Sequence, residues 1–130
     1  MKNLVVLITD DHPDNRSLAI HYLQTLLPGL QFDQAPDGET ALALVKEKIL
    51  TTGRNYDFIM MDYEMPGMNG QETTFKIREL ESSLKGDEKS LIITWSAAKT
   101  RPYQQADAIL RKPLVKDELE MLLIEYGYIP

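Results

Sequence analysis

Five side chains stand out by type and placement: Asp10, Asp11, Asp62, Ser96 and Lys112. Each follows or closes a short apolar run. Asp10-Asp11 follows Leu4-Val5-Val6-Leu7-Ile8, Asp62 closes Phe58-Ile59-Met60-Met61, and Ser96 follows Leu91-Ile92-Ile93-Thr94-Trp95. Lys112 follows Ala108-Ile109-Leu110 and precedes Pro113. A carboxylate at the end of a buried strand, before the Pro/Gly-rich loop Met65-Pro66-Gly67-Met68-Asn69-Gly70, serves a core poorly. It serves well as a reactive group at the mouth of an α/β sheet, where ligands bind. Three clustered carboxylates repel one another unless a cation joins them. Oxygen ligands with open positions suit Mg²⁺, which binds one or two carboxylates plus a phosphate and keeps several waters. A hydroxyl and an ammonium can serve phosphoryl oxygens, and a carboxylate can accept a phosphoryl group covalently.

The elements that bring these groups together are legible in the alternation of apolar and amphipathic segments. Leu4–Ile8 reads as a buried strand. Leu18, Tyr22, Leu23, Leu26 and Leu27 recur at helical spacing after Pro13, and Pro28-Gly29 stops that helix. Leu30–Ala35 reads as a second strand and Asp37-Gly38 as a turn. A second helix carries Ala41, Leu42, Leu44, Val45 and Ile49 and ends at Gly53. Tyr56–Met61 is the third strand. Asn69 caps a third helix running to about Leu84, with Ile77 and Leu80 inward. Leu91–Trp95 and Ala108–Leu110 are the fourth and fifth strands, and a closing helix spans Leu114–Tyr126. Such alternation, with nearly unbroken apolar strands, implies a parallel sheet covered on both faces. Its strand C-termini gather at one edge, which places all five side chains in one cleft.

Composition narrows the classes. A chain of 130 residues suits one domain, expected over residues 1–130, and 43% hydrophobic content is ordinary for a folded protein. There is no cysteine, which excludes disulfides, thiolate catalysis and the usual zinc sites. The formal net charge of −6 opposes nucleic-acid binding. No apolar stretch approaches a membrane span, and the N-terminus does not read as a signal peptide, so a cytoplasmic location is expected.

The chain resembles the response-regulator receiver domains of two-component signalling over nearly its whole length. The matching pieces are Leu7-Ile8-Thr9-Asp10-Asp11, Ala35-Pro36-Asp37-Gly38-Glu39-Thr40-Ala41-Leu42, Tyr56 to Asp62, Met65 to Gly70, Ile92 to Ala97 and Ala106 to Pro113. His12-Pro13-Asp14-Asn15-Arg16 and Gln71-Glu72-Thr73-Thr74 look most like the receivers attached to hybrid histidine kinases. The resemblance implies a flavodoxin-like, doubly wound five-stranded parallel sheet of order 2-1-3-4-5. It also implies a phosphoacceptor in a two-component or phosphorelay system rather than a conventional enzyme. Asp62 would take the phosphoryl group from the phosphohistidine of a histidine kinase or histidine phosphotransfer protein. Asp10, Asp11, Asp62 and the backbone carbonyl of Glu64 would hold Mg²⁺. Ser96 would hydrogen-bond the phosphoryl group, Lys112 would pair with it, and a cis peptide would precede Pro113. Output would pass to a downstream protein by contact.

Blander readings exist for single residues. Asp10-Asp11 alone could be a solvated turn, His12 reads as a loop residue and His21 as a helix-surface residue. Trp95 reads as a buried strand residue, Phe75 as an exposed aromatic, and the methionines around Asp62 as packing.

The chain departs from the family in three places. Only fifteen residues, 97–111, lie between Ser96 and Lys112, and they include Pro102. The helix usually found there is expected to be absent or reduced to about one turn. Ile109 occupies the position of an aromatic switch it cannot perform, so the 97–105 loop is the expected moving element. The Gly38–Asp62 interval is also longer than usual. The alternative reading is a module of the same fold that binds a protein partner without phosphorylation. A phosphatase of the haloacid-dehalogenase kind would need Asp where Glu64 stands.

Overall fold

The computed structural model describes residues 3–84, 89–97 and 105–130. Among them, five parallel strands form one sheet in the order β2-β1-β3-β4-β5. The strands are β1 (Val5–Thr9), β2 (Gln31–Ala35), β3 (Phe58–Asp62), β4 (Leu91–Ser96) and β5 (Ala108–Arg111). The helices are α1 (Pro13–Leu26), α2 (Gly38–Thr52), α3 (Gly70–Ser83) and α4 (Lys116–Glu125). The expected sheet and its strand order are present. Among the described residues no helix stands between β4 and β5. The reduced or absent helix expected there, and the loop expected to move, fall largely on residues 98–104, outside the described residues.

Strand periodicity divides the core. Val6, Ile8, Phe58, Met60, Ile93 and Trp95 pack on one face with Ala19 and Leu23 of α1 and Leu119, Leu122 and Leu123 of α4. Leu7, Ile59, Met61 and Ile92 pack on the other with Ala41, Val45 and Ile49 of α2 and Ile77 of α3. Because both faces are covered, β1, β3 and β4 carry apolar residues on both faces, apart from Thr94 and the polar strand ends.

Several local boundaries differ from the sequence reading for identifiable reasons. Asp37-Gly38 is not a free turn. The Asp37 carboxylate accepts from Thr40 N at 2.7 Å, so it caps α2 and Gly38 becomes the first helical residue. Gly38 also lies where a Cβ would collide with Thr73 Oγ1 of α3, so glycine permits the close approach of the two helices. β3 starts two residues late, where the Asp57 carboxylate rather than a backbone carbonyl accepts from Val5 N, at 2.8 Å. Leu18 is 37% exposed, and α1 buries Ala19 and Leu23 instead. α4 begins at Lys116, after a buried but non-helical Leu114.

Candidate functional site

The parallel arrangement brings the ends of β1, β3, β4 and β5 to one edge, and the five singled-out residues meet or adjoin there. Asp10 is fully buried just past β1, and its N–H donates to Ala35 O at 3.1 Å. One carboxylate oxygen, Oδ1, accepts from His12 N at 2.8 Å, and Asn15 Nδ2 lies 3.3–3.4 Å from both oxygens. Arg16 donates to the Asp10 carbonyl at 2.6 Å and to Gln34 Oε1 at 3.0 Å, tying the start of α1 to β1 and β2. Asp62, at the end of β3, is 3% exposed. The Lys112 ammonium spans the two acids: Nζ is 2.6 Å from Asp10 Oδ2 and 3.0 Å from Asp62 Oδ1.

The backbone fixes Lys112 as well. Its N–H donates to Ser96 O at 3.0 Å, and the Lys112–Pro113 peptide is cis, as the resemblance implied. Ser96 is buried at the end of β4. Strand register pairs Asp62 with Trp95, which puts Ser96 one step beyond Asp62's neighbour. Asp11 is partly exposed at the rim, with His12 Nε2 3.9 Å from its carboxylate. Asp11 and His12 line an open cleft with Tyr63, Glu64, Met65 and Asn69. The Glu64 side chain is exposed. His21 is exposed on α1, Phe75 is exposed on α3, and the methionines flanking Asp62 are packed inside.

The electrostatics are unbalanced. Asp10, Asp11 and Asp62 each offer a carboxylate oxygen within 4.8 Å of the others. Among the described residues, one ammonium, that of Lys112, lies against these three carboxylates. Burial pushes the Asp62 carboxyl up to about 6; the Lys112 hydrogen bond opposes this, and the Asp10 charge adds to it. For Lys112, burial works against the charged form, but the bonds to Asp10 and Asp62 outweigh it and the ammonium is held above its ordinary range. An all-oxygen donor set with this excess charge fits a hard divalent cation.

Two contributors were not legible from residue types. A Cβ on Gly70 would run into the Asp62 carbonyl oxygen and sit 2.9 Å from the carbonyl carbon. Gly70 N also donates to Tyr63 O at 2.8 Å. Glycine at the start of α3 is thus what lets that helix seat against the backbone of Asp62; the Gly-rich loop was the available signal. The other contributor is Trp95, whose indole N–H donates to Thr9 O at 3.2 Å and whose ring lies under Lys112 Nζ, 5.0 Å from the centroid.

Fold and site define a phosphorelay-type receiver class, and comparison with known proteins agrees. The family model for the response regulator receiver domain matches residues 6–123, and the chain belongs to this family. The sensor protein EvgS of Escherichia coli K12 is 42% identical over 83 residues, covering 64% of this chain and 6% of that protein. The sensor histidine kinase RcsC of Salmonella typhi is 31% identical over 129 residues, covering 96% of this chain and 12% of that protein. The chain therefore spans only a small part of these sensor kinases. Among solved structures, the receiver domain of the histidine kinase CKI1 from Arabidopsis thaliana, complexed with Mg²⁺, superposes with a TM-score of 0.80 at 28% identity. That match covers 95% of this chain and 92% of the other. No helix among the described residues is long and apolar enough to cross a membrane.

Proposed function

We propose that residues 1–130 act as one receiver unit that accepts a phosphoryl group on Asp62 from a phosphohistidine, with Mg²⁺ bound beside it. The observation that carries this reading is the Lys112 ammonium bridging Asp10 and Asp62 within a three-carboxylate cluster. Asp10, Asp11, Asp62 and the Glu64 carbonyl would hold the metal. When bound, Mg²⁺ supplies charge neutralisation for the carboxylates and for the incoming phosphoryl oxygens.

The chain's own groups account for the rest. An Asp62 carboxylate oxygen bonds to phosphorus as the P–N bond to the donor imidazole breaks, and the imidazole leaves with that electron pair. Lys112 is placed to pair with the phosphoryl oxygens from the position in which it reaches Asp62. Ser96 donates its hydroxyl to one of them. The phosphoryl group adds about −1.5 to −2 charges, and the resulting movement of Ser96 is the signal. The chain is consumed stoichiometrically, as an acceptor rather than a turning-over enzyme. Its donor is a histidine kinase or histidine phosphotransfer protein, its output a protein contact, and its place of action the cytoplasm.

Incubation with acetyl phosphate and Mg²⁺, followed by intact mass, tests the reading. A single phosphoryl adduct is expected on wild type and none on Asp62→Asn. An adduct that persists in Asp62→Asn identifies a different acceptor. Absence of any adduct on wild type leaves the phosphorylation-independent binding module, a reading favoured by the short interval between Ser96 and Lys112.

A further inference from the structure

Trp95 does more at this edge than fill the core. It is 1% exposed and touches the site from three sides. Its indole N–H donates to the carbonyl of Thr9, the residue before Asp10. It is the register partner of Asp62 on β3 and of Leu110 on β5. Its ring lies beneath the Lys112 ammonium at 5.0 Å from the centroid, within the range of a cation–π contact. An ammonium attracted only by carboxylates would follow whichever acid carries more charge. A buried ring anchored to β1 gives it a fixed seat that does not change as charge moves between Asp10, Asp62 and a phosphoryl group.

We propose that Trp95 is a positioning residue for phosphoryl transfer, holding Lys112 where one ammonium reaches both Asp10 and Asp62. The proposal rests on Asp62 being the acceptor. Indole is the best of the aromatic faces for this contact, and its N–H cannot be supplied by phenylalanine. Trp95→Phe therefore keeps a ring but weakens and frees the seat, and Trp95→Leu removes it.

The experiment compares wild type, Trp95→Phe and Trp95→Leu. Adduct formation is followed at saturating acetyl phosphate, and Mg²⁺ affinity by titration. The NMR shifts of the Lys112 ε-methylene protons are read without phosphodonor. In wild type those protons are expected upfield of ordinary lysine, from the ring current of the chain's single tryptophan. The displacement should shrink in Trp95→Phe and vanish in Trp95→Leu. Adduct formation should slow about tenfold in Trp95→Leu and by less in Trp95→Phe, with Mg²⁺ affinity nearly unchanged. Ordinary wild-type lysine shifts, or a folded Trp95→Leu that phosphorylates at the wild-type rate, overturn the proposal. If Trp95→Leu does not fold, an unslowed Trp95→Phe does so. A wild type that forms no adduct instead removes the acceptor reading, and the Trp95 role with it.

Discussion

Two buried acidic groups in this molecule have opposite surroundings. Glu81 on α3 is 4% exposed and accepts three hydrogen bonds: from Asn55 Nδ2 at 2.8 Å, Ser90 N at 2.8 Å and Arg78 Nη1 at 2.9 Å. Arg78 also donates to the carbonyls of Ser90 and Gln105 and to Asp107, whose carboxylate accepts Ile92 N. Asp62 is equally buried but shares the Lys112 ammonium with Asp10. Around Glu81 both carboxylate oxygens accept hydrogen bonds, and the result is a polar tie between α3 and the neighbouring strands. Around Asp62, among the described residues, three carboxylates crowd one ammonium, which is the arrangement the proposed acceptor role draws on. A buried carboxylate is thus structural or reactive according to how completely its oxygens are served, not according to its burial.

The largest test removes the proposed acceptor: Asp62→Asn should abolish the phosphoryl adduct altogether, measured by intact mass, while the protein stays folded. Next in size, Arg78→Ala leaves Glu81 and Asp107 without their shared cation. It should lower unfolding stability by about 3 kcal/mol in urea denaturation. Protein that remains folded should still form the adduct. A stable Arg78→Ala, or one that folds but cannot be phosphorylated, would break the contrast between the two regions.

A smaller effect has the opposite sign. In chelator at pH 7, Asp62→Asn should be more stable than wild type by about 2 kcal/mol, because ionising a carboxyl whose folded pKa is raised to about 6 weakens the native state. That penalty is complete above pH 6 and fades as pH falls from about 6 toward 4. The stability gap between the two proteins should close over the same interval, and Mg²⁺ should narrow it at pH 7. The smallest change concerns a carboxylate that is well served. Asp37→Ala should cost about 1 kcal/mol through loss of the α2 cap. The hydrogen bonds to Thr40 lower the Asp37 pKa from 3.8. The charged cap's contribution is therefore present at neutral pH and is lost as pH falls through that lower folded value, which paired acid titrations of the two proteins would read.

Asp10, Asp11, Asp62, Ser96 and Lys112 were legible because a parallel sheet collects strand ends, and a strand end is marked by where an apolar run stops. The two faces of the core follow from the same alternation. The Arg78–Glu81–Asp107 tie was not legible, since its members come from α3 and the residue before β5, 29 residues apart at the widest, and no periodicity connects them. Trp95 read as core because it is core, and its contacts to Thr9 and Lys112 are made from within it. Gly70 read as a loop glycine, since its reason for being glycine is a backbone atom eight residues earlier. Leu18 misled because helical spacing names a stripe without saying which edge of it faces the sheet.

Tyr128 bonds through its hydroxyl to Asp57 O at 2.8 Å and packs edge-on against Phe58. It thereby fastens the last residues at the opposite end of β3 from Asp62, roughly 15 Å away along the strand. A fluorophore or affinity handle attached after Pro130 would start from the far side of the sheet. Residues 1–130 labelled in this way would carry the handle at the opposite end of β3 from Asp62 in an immobilised phosphotransfer assay.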